Sequence, residues 1–124
     1  MQWVWIAAGG ALGAMARHGV SLTATRLLGE RFPWGTFAAN ALGSFVLGML
    51  LQWFLQREVG SPGMRLMLTT GFLGAFTTFS TFSVQSVRLF EEGELGLGLA
   101  NVLGNVVVGL GLAALGISAA RYLG

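Results

Sequence analysis

The 124-residue sequence contains no cysteine, no aspartate and no lysine, and only two prolines. Without cysteine it has neither a disulfide framework nor a thiolate metal site. Seven Arg and five Glu carry all the formal side-chain charge, 10% of the residues, whereas a soluble domain spends about 25% of its residues on charge to face water. A net charge of +2 spread this thinly gives no nucleic-acid footprint. The sequence pI of about 10.5 mainly reflects the scarcity of titratable groups. The single histidine, His18, has no second His and no membrane carboxylate to make a metal site with, and reads as a packing or interfacial residue.

What fills the sequence instead is apolar: 54% hydrophobic residues and twenty glycines, with a mean hydropathy of +0.71. At roughly 20 apolar residues per crossing of a ~30 Å hydrocarbon core, the length allows four crossings with short loops. The expectation is one all-α membrane domain over residues 1–124, with spans near 3–28, 33–56, 64–90 and 95–120. Pro33 suits the first turn of the second span, and Trp34 and Trp53 suit its two interfaces. A cleavable leader is the competing reading of the first span, because Ala14-Met15-Ala16 resembles a cleavage site. No basic residue precedes that run and further spans follow, so a span is preferred.

Four spans place both termini on one side. That side then holds Arg57, Arg65 and Arg121, and the other Arg17, Arg26, Arg31 and Arg88, three against four. Orientation follows the Arg/Lys bias of the loops, so a difference of one predicts insertion in both directions.

Small residues recur at helix-packing spacing, as in Gly9/Gly13, Ala39/Gly43, Ser44/Gly48 and Gly96/Ala100/Gly104, which predicts close helix contacts. Thr36, Asn40 and Ser44 stand four apart on one face of the second span, and Asn101 and Asn105 do so on the fourth. Such stripes make interhelical hydrogen bonds or line a wetted path. In the third span, five hydroxyl residues fall within the seven positions 77–83, just after Gly71 and Gly74. Glycine adds backbone freedom and Ser/Thr offer competing hydrogen bonds, so a break is predicted there. Irregular backbone at membrane depth belongs inside protein, lining a cavity or holding an ion.

Three segments carry a resemblance. They are Gly9-Gly10-Ala11-Leu12-Gly13-Ala14-Met15-Ala16-Arg17-His18, Gly35-Thr36-Phe37-Ala38-Ala39-Asn40-Ala41-Leu42-Gly43-Ser44-Phe45 and Gly71-Phe72-Leu73-Gly74-Ala75-Phe76-Thr77-Thr78-Phe79-Ser80-Thr81-Phe82-Ser83. In order and in spans of the right length, they resemble the small fluoride channels of the Fluc/CrcB family. The resemblance implies a passive fluoride exporter of the bacterial cytoplasmic (inner) membrane rather than an enzyme, built as an antiparallel dual-topology homodimer with two pores. It also implies a structural sodium ion at the dimer centre, held by backbone carbonyls that correspond to Gly74 and Thr77. The span-four stripe, Asn101 and Asn105, is not part of the resemblance.

Fluoride chemistry suits these residues. The ion needs replacement donors for its lost water, and a fixed positive charge deep in a pore would trap it. Asn40, Thr36, Ser80 and Ser83 offer uncharged donors, and the positive ring edges of Phe79 and Phe82 offer more. Arg17, near the end of an apolar run, is either a snorkelling residue or a vestibule residue that concentrates anions. Two other classes remain for comparison. A proton-coupled multidrug exporter of four spans needs a membrane carboxylate, and Glu30, Glu58, Glu91, Glu92 and Glu94 all fall in loops or at span ends. A non-transporting subunit leaves the polar stripes and the break without a purpose.

Overall fold

The structure, a computed structural model, describes residues 1–123. The chain makes four helical passes, with no strand among the described residues: α1 (Gln2–Leu28), α2 (Trp34–Gln56), an interrupted third pass, and α6 (Leu95–Leu123). The third pass consists of α3 (Pro62–Leu66), a π-helical segment (Met67–Leu73), α4 (Gly74–Phe76) and α5 (Phe79–Glu91). Among the described residues, only α2 and α6 are each long and apolar enough on their own to cross a membrane. The hydropathy of α1 is diluted by glycine, Arg17 and His18, and the third pass is divided among short helices.

Local chemistry explains the ends. Gly29 closes α1 with φ of 86°, a left-handed conformation that costs glycine little. Ser61 caps α3 by accepting from Met64 N at 3.1 Å, and Pro62 occupies the first helical position, where its missing N–H is not needed. From α3, Arg65 donates through Nε to Val59 O in the preceding loop at 2.9 Å and lies 5.0 Å over the Phe54 ring. The start of α1 and the end of α6 sit at one end of the bundle. There Gln56 Nε2 donates to Ala120 O at 3.0 Å, and the Trp5 ring packs against Gly63. The other end gathers Ser21, Thr25, Trp34, Thr36 and Arg88 around a cavity of about 360 Å³.

Close backbone approach sets the packing. A Cβ on Gly9 or Gly13 would collide with the backbone of Met67 and Phe72, so the bare face of α1 lies directly on the π-helical segment. On α2 and α6, Gly48 meets Ala113 and Gly116 meets the Phe45 carbonyl in the same way. Lipid supplies no hydrophobic drive between helices, so packing of this kind holds them. A small core of Ala39, Leu73 and Phe76 fills the centre. Large apolar side chains such as Leu12, Leu103, Val107 and Leu110 face outward, as expected where the surroundings are lipid or another apolar surface.

Candidate functional site: a groove at the helix break

The third pass breaks at Thr77 and Thr78, whose φ/ψ of −88°/159° and −152°/124° are extended. Thr77 still donates from Oγ1 to Leu73 O at 3.0 Å, which holds the end of the preceding turn. Thr78 opens α5 as its N-cap, accepting from Thr81 N at 3.3 Å. Gly43 on α2 makes room for the break, because a Cβ there would collide with the Thr77 methyl.

The extended pair is held from α2 by Asn40. Its Nδ2 donates to Thr78 O at 3.0 Å and its Oδ1 accepts from Thr78 N at 2.8 Å. A carboxamide offers a donor and an acceptor together, so one side chain takes up the Thr78 N–H that the break frees and adds a second donor to the Thr78 carbonyl. The second Nδ2 hydrogen of Asn40 goes to Asn105 Oδ1 at 3.0 Å. Asn105 Nδ2 in turn donates to Asn101 O at 2.8 Å and to Asn101 Oδ1 at 3.0 Å. The fully buried Asn101 donates to Ser86 Oγ at 2.9 Å, and Ser86 to Phe82 O at 2.8 Å. The chain of bonds leaves α5 at its first residues, crosses α2 and α6, and returns to α5. The stripes on spans two and four are therefore joined side chain to side chain.

Beside this network lies an open groove of about 280 Å³, lined by Asn40, Ser44, Thr77, Thr78, Phe79 and Phe82 among others. The Phe79 and Phe82 ring centroids stand 5.6 Å apart at 52°. Phe82 is 8% exposed and packed, whereas Phe79 is 79% exposed in the single chain. No ionisable residue lines the groove.

Of the residues singled out from the sequence, the groove brings together Asn40, Phe79 and Phe82. Thr36, one turn before Asn40, is buried and borders the cavity at the α2 entrance. Ser80 lies on another face of α5 with Thr81, Gln85 and Arg88. Ser83 lies on a third, its hydroxyl returned to Phe79 O at 2.9 Å. Arg17 reaches across from α1 to Thr81 Oγ1, a long contact of 3.5 Å. Its Nε, like Gln85 Oε1, is buried without a hydrogen-bond partner among the described residues.

At the break, the carbonyls of residues 74–77 lose the donors a continuous helix would give them, those of Gly74 and Thr77 included. The N–H of Thr78, four residues after Gly74, is diverted to Asn40, and that of Thr81, four after Thr77, to the Thr78 hydroxyl. Gly74 is exposed on the surface of the chain. Unwound carbonyls of this kind suit a hard monovalent cation. Ser86 and Gln85 carry no distinctive signal in the sequence: each is a single polar side chain four or five residues after Thr81, and the Asn101 partner of Ser86 lies 15 residues further on.

The family described as CrcB-like protein, Camphor Resistance (CrcB), matches residues 4–117. A protein of Dehalococcoides mccartyi named fluoride-specific ion channel FluC is 48% identical over 119 residues, covering 96% of this chain and 88% of that one. Proteins of the same name from Geotalea daltonii and Magnetococcus marinus are 45% and 42% identical, over 97% and 99% of this chain and 97% and 100% of theirs. Matched by the family model over residues 4–117 and by these relatives across nearly all its length, the chain belongs to the CrcB-like family.

Proposed function

We propose that this chain is a fluoride-selective channel, not an enzyme, that lets fluoride leave the bacterial cytoplasm passively and so relieves its toxicity. The observation that carries the reading is the groove at the break, where two phenyl rings face uncharged polar groups and no ionisable side chain. An anion moving there meets positive ring edges and neutral donors, a setting that binds weakly enough to release. The name shared by the relatives supports fluoride as the ion. All five Glu stand in loops or at a helix end, which disfavours a proton-coupled exporter.

In this reading Asn40, Phe79 and Phe82 line the central pathway, Thr36 the approach along α2, and Ser80 and Ser83 the approach along α5. Arg17 raises the anion concentration at a vestibule. The working unit is an antiparallel homodimer in the inner membrane. Its support is the near-even Arg count and the exposure of Phe79 and Gly74 in a single chain, surfaces that a second copy would cover across an isologous twofold interface. Gly74 and Thr77 carbonyls from the two copies would hold a sodium ion, whose charge offsets carbonyl repulsion at the junction.

The test is efflux from liposomes holding the purified protein alone, followed with a fluoride-selective electrode and repeated with chloride. The expected result is rapid fluoride release, little chloride release and no substrate-dependent proton flux. Proton-coupled export of an organic cation without fluoride release would overturn the reading.

A further inference from the structure

The side-chain polar hydrogens of the groove are nearly all committed. Both Nδ2 hydrogens of Asn40 are given to Thr78 O and Asn105 Oδ1, each at 3.0 Å. Those of Asn105 go to Asn101. The Thr77 hydroxyl goes to Leu73 O at 3.0 Å and the Thr78 hydroxyl to Thr81 Oγ1 at 3.1 Å. Ser44 differs. It lines the same groove, one turn beyond Asn40 on the same face of α2, and its side chain makes no hydrogen bond among the described residues.

We propose that the Ser44 hydroxyl is the donor that fluoride takes as it passes Phe79 and Phe82. The proposal rests on the channel reading and adds a residue to that pathway. For Asn40 to serve the ion, it would have to release Thr78 or Asn105 at membrane depth, where an unmade hydrogen bond is costly. Ser44 has nothing to release. A hydroxyl turns freely about its Cβ–Oγ bond, donates without carrying charge, and so meets the need for binding that does not trap.

The opposing helix leaves room for this. Gly109 on α6 faces Ser44, and even a Cβ added there would stand 3.7 Å from Ser44 Oγ. A larger side chain would fill the space beside the hydroxyl. Asn40 and Ser44, four residues apart, thus divide the work: Asn40 fixes the break and Ser44 meets the ion.

The experiment compares fluoride efflux per dimer from proteoliposomes for the unmodified protein, Ser44→Ala and Ser44→Thr, with dimer content measured on a sizing column. Ser44→Ala should lower flux by about ten-fold, the scale of one hydrogen bond to a charged group, with unchanged dimer content. Ser44→Thr, which keeps the hydroxyl, should retain most of the flux. Wild-type flux in Ser44→Ala overturns the proposal, because the hydroxyl is then idle. Equal loss in both variants also overturns it, because side-chain shape and not the hydroxyl then matters. An unmodified protein that passes no fluoride overturns the channel reading and the proposal with it.

Discussion

Asn40 holds Thr78 by two hydrogen bonds of opposite sense, donating to its carbonyl at 3.0 Å and accepting from its N–H at 2.8 Å. The residues are 38 apart in the chain. An N–H turned out of a helix at membrane depth must find a partner within protein, and here a carboxamide from the neighbouring helix accepts it and donates to the Thr78 carbonyl as well. The break in the third pass is thus a property of α2 as much as of its own sequence.

Replacing Asn40 by Asp tests that clamp and the pathway together. The carboxylate would face Thr78 O and Asn105 Oδ1 as acceptors with no hydrogen to give, and its charge would repel an anion in low dielectric. Asn40→Asp should abolish fluoride efflux and lower thermal stability in detergent, with about 1–3 kcal/mol lost for each buried group left unpaired. Full efflux from a correctly assembled Asn40→Asp protein would remove Asn40 from both roles.

Phe79 and Phe82 separate ring chemistry from packing. Ile keeps apolar bulk and removes the positive edge, and apolar swaps of similar size usually cost under about 1.5 kcal/mol. Phe79→Ile, at a position 79% exposed in the single chain, should leave the fold of the chain intact and sharply reduce fluoride flux. Phe82→Ile should reduce flux as well, with a larger loss of stability because the Phe82 ring is buried. Flux per dimer near wild type in both variants, with weakened dimers on a sizing column, would assign the rings to packing alone.

Asn101 is placed to support the network and lies outside the groove. Asn101→Ala removes the donor to Ser86 Oγ and one of the two acceptors of Asn105 Nδ2, which keeps its bond to Asn101 O. The interhelical bond to Ser86 contributes ~0.6 kcal/mol in a membrane, with an unsatisfied group costing more. The expected result is a lower melting temperature in detergent, with the preference for fluoride over chloride retained. A lost preference at unchanged stability would move Asn101 into the pathway.

The Arg distribution, three against four, predicts insertion in both orientations. Paired reporters fused after the last residue, one active only in the cytoplasm and one only outside it, should both score. Signal from a single reporter would exclude dual topology. Adding two Arg to the loop between α1 and α2 should bias insertion toward one orientation and lower the yield of functional dimer.

The sequence by itself determined the four passes, the membrane setting and the presence of a break. These follow from composition, hydropathy and the Gly/Ser/Thr content of residues 71–83, all local quantities. It also supplied the two polar stripes, since i, i+4 spacing on a helix is geometry that needs no tertiary knowledge. Only the tertiary structure decided that the stripes meet, that Asn40 spends its donors on Thr78 and Asn105, and that Phe79 and Phe82 share the groove with Ser44 while Ser80 and Ser83 point elsewhere. The π-helical segment at Met67–Leu73 belongs to the same group, because the bare backbones of Gly9 and Gly13 press against it from α1. The physical reason is common to all of these. A carboxamide or a hydroxyl has several partners of similar energy, and the one it takes depends on which backbone the packing brings within about 3 Å, a choice made by residues far away in the chain.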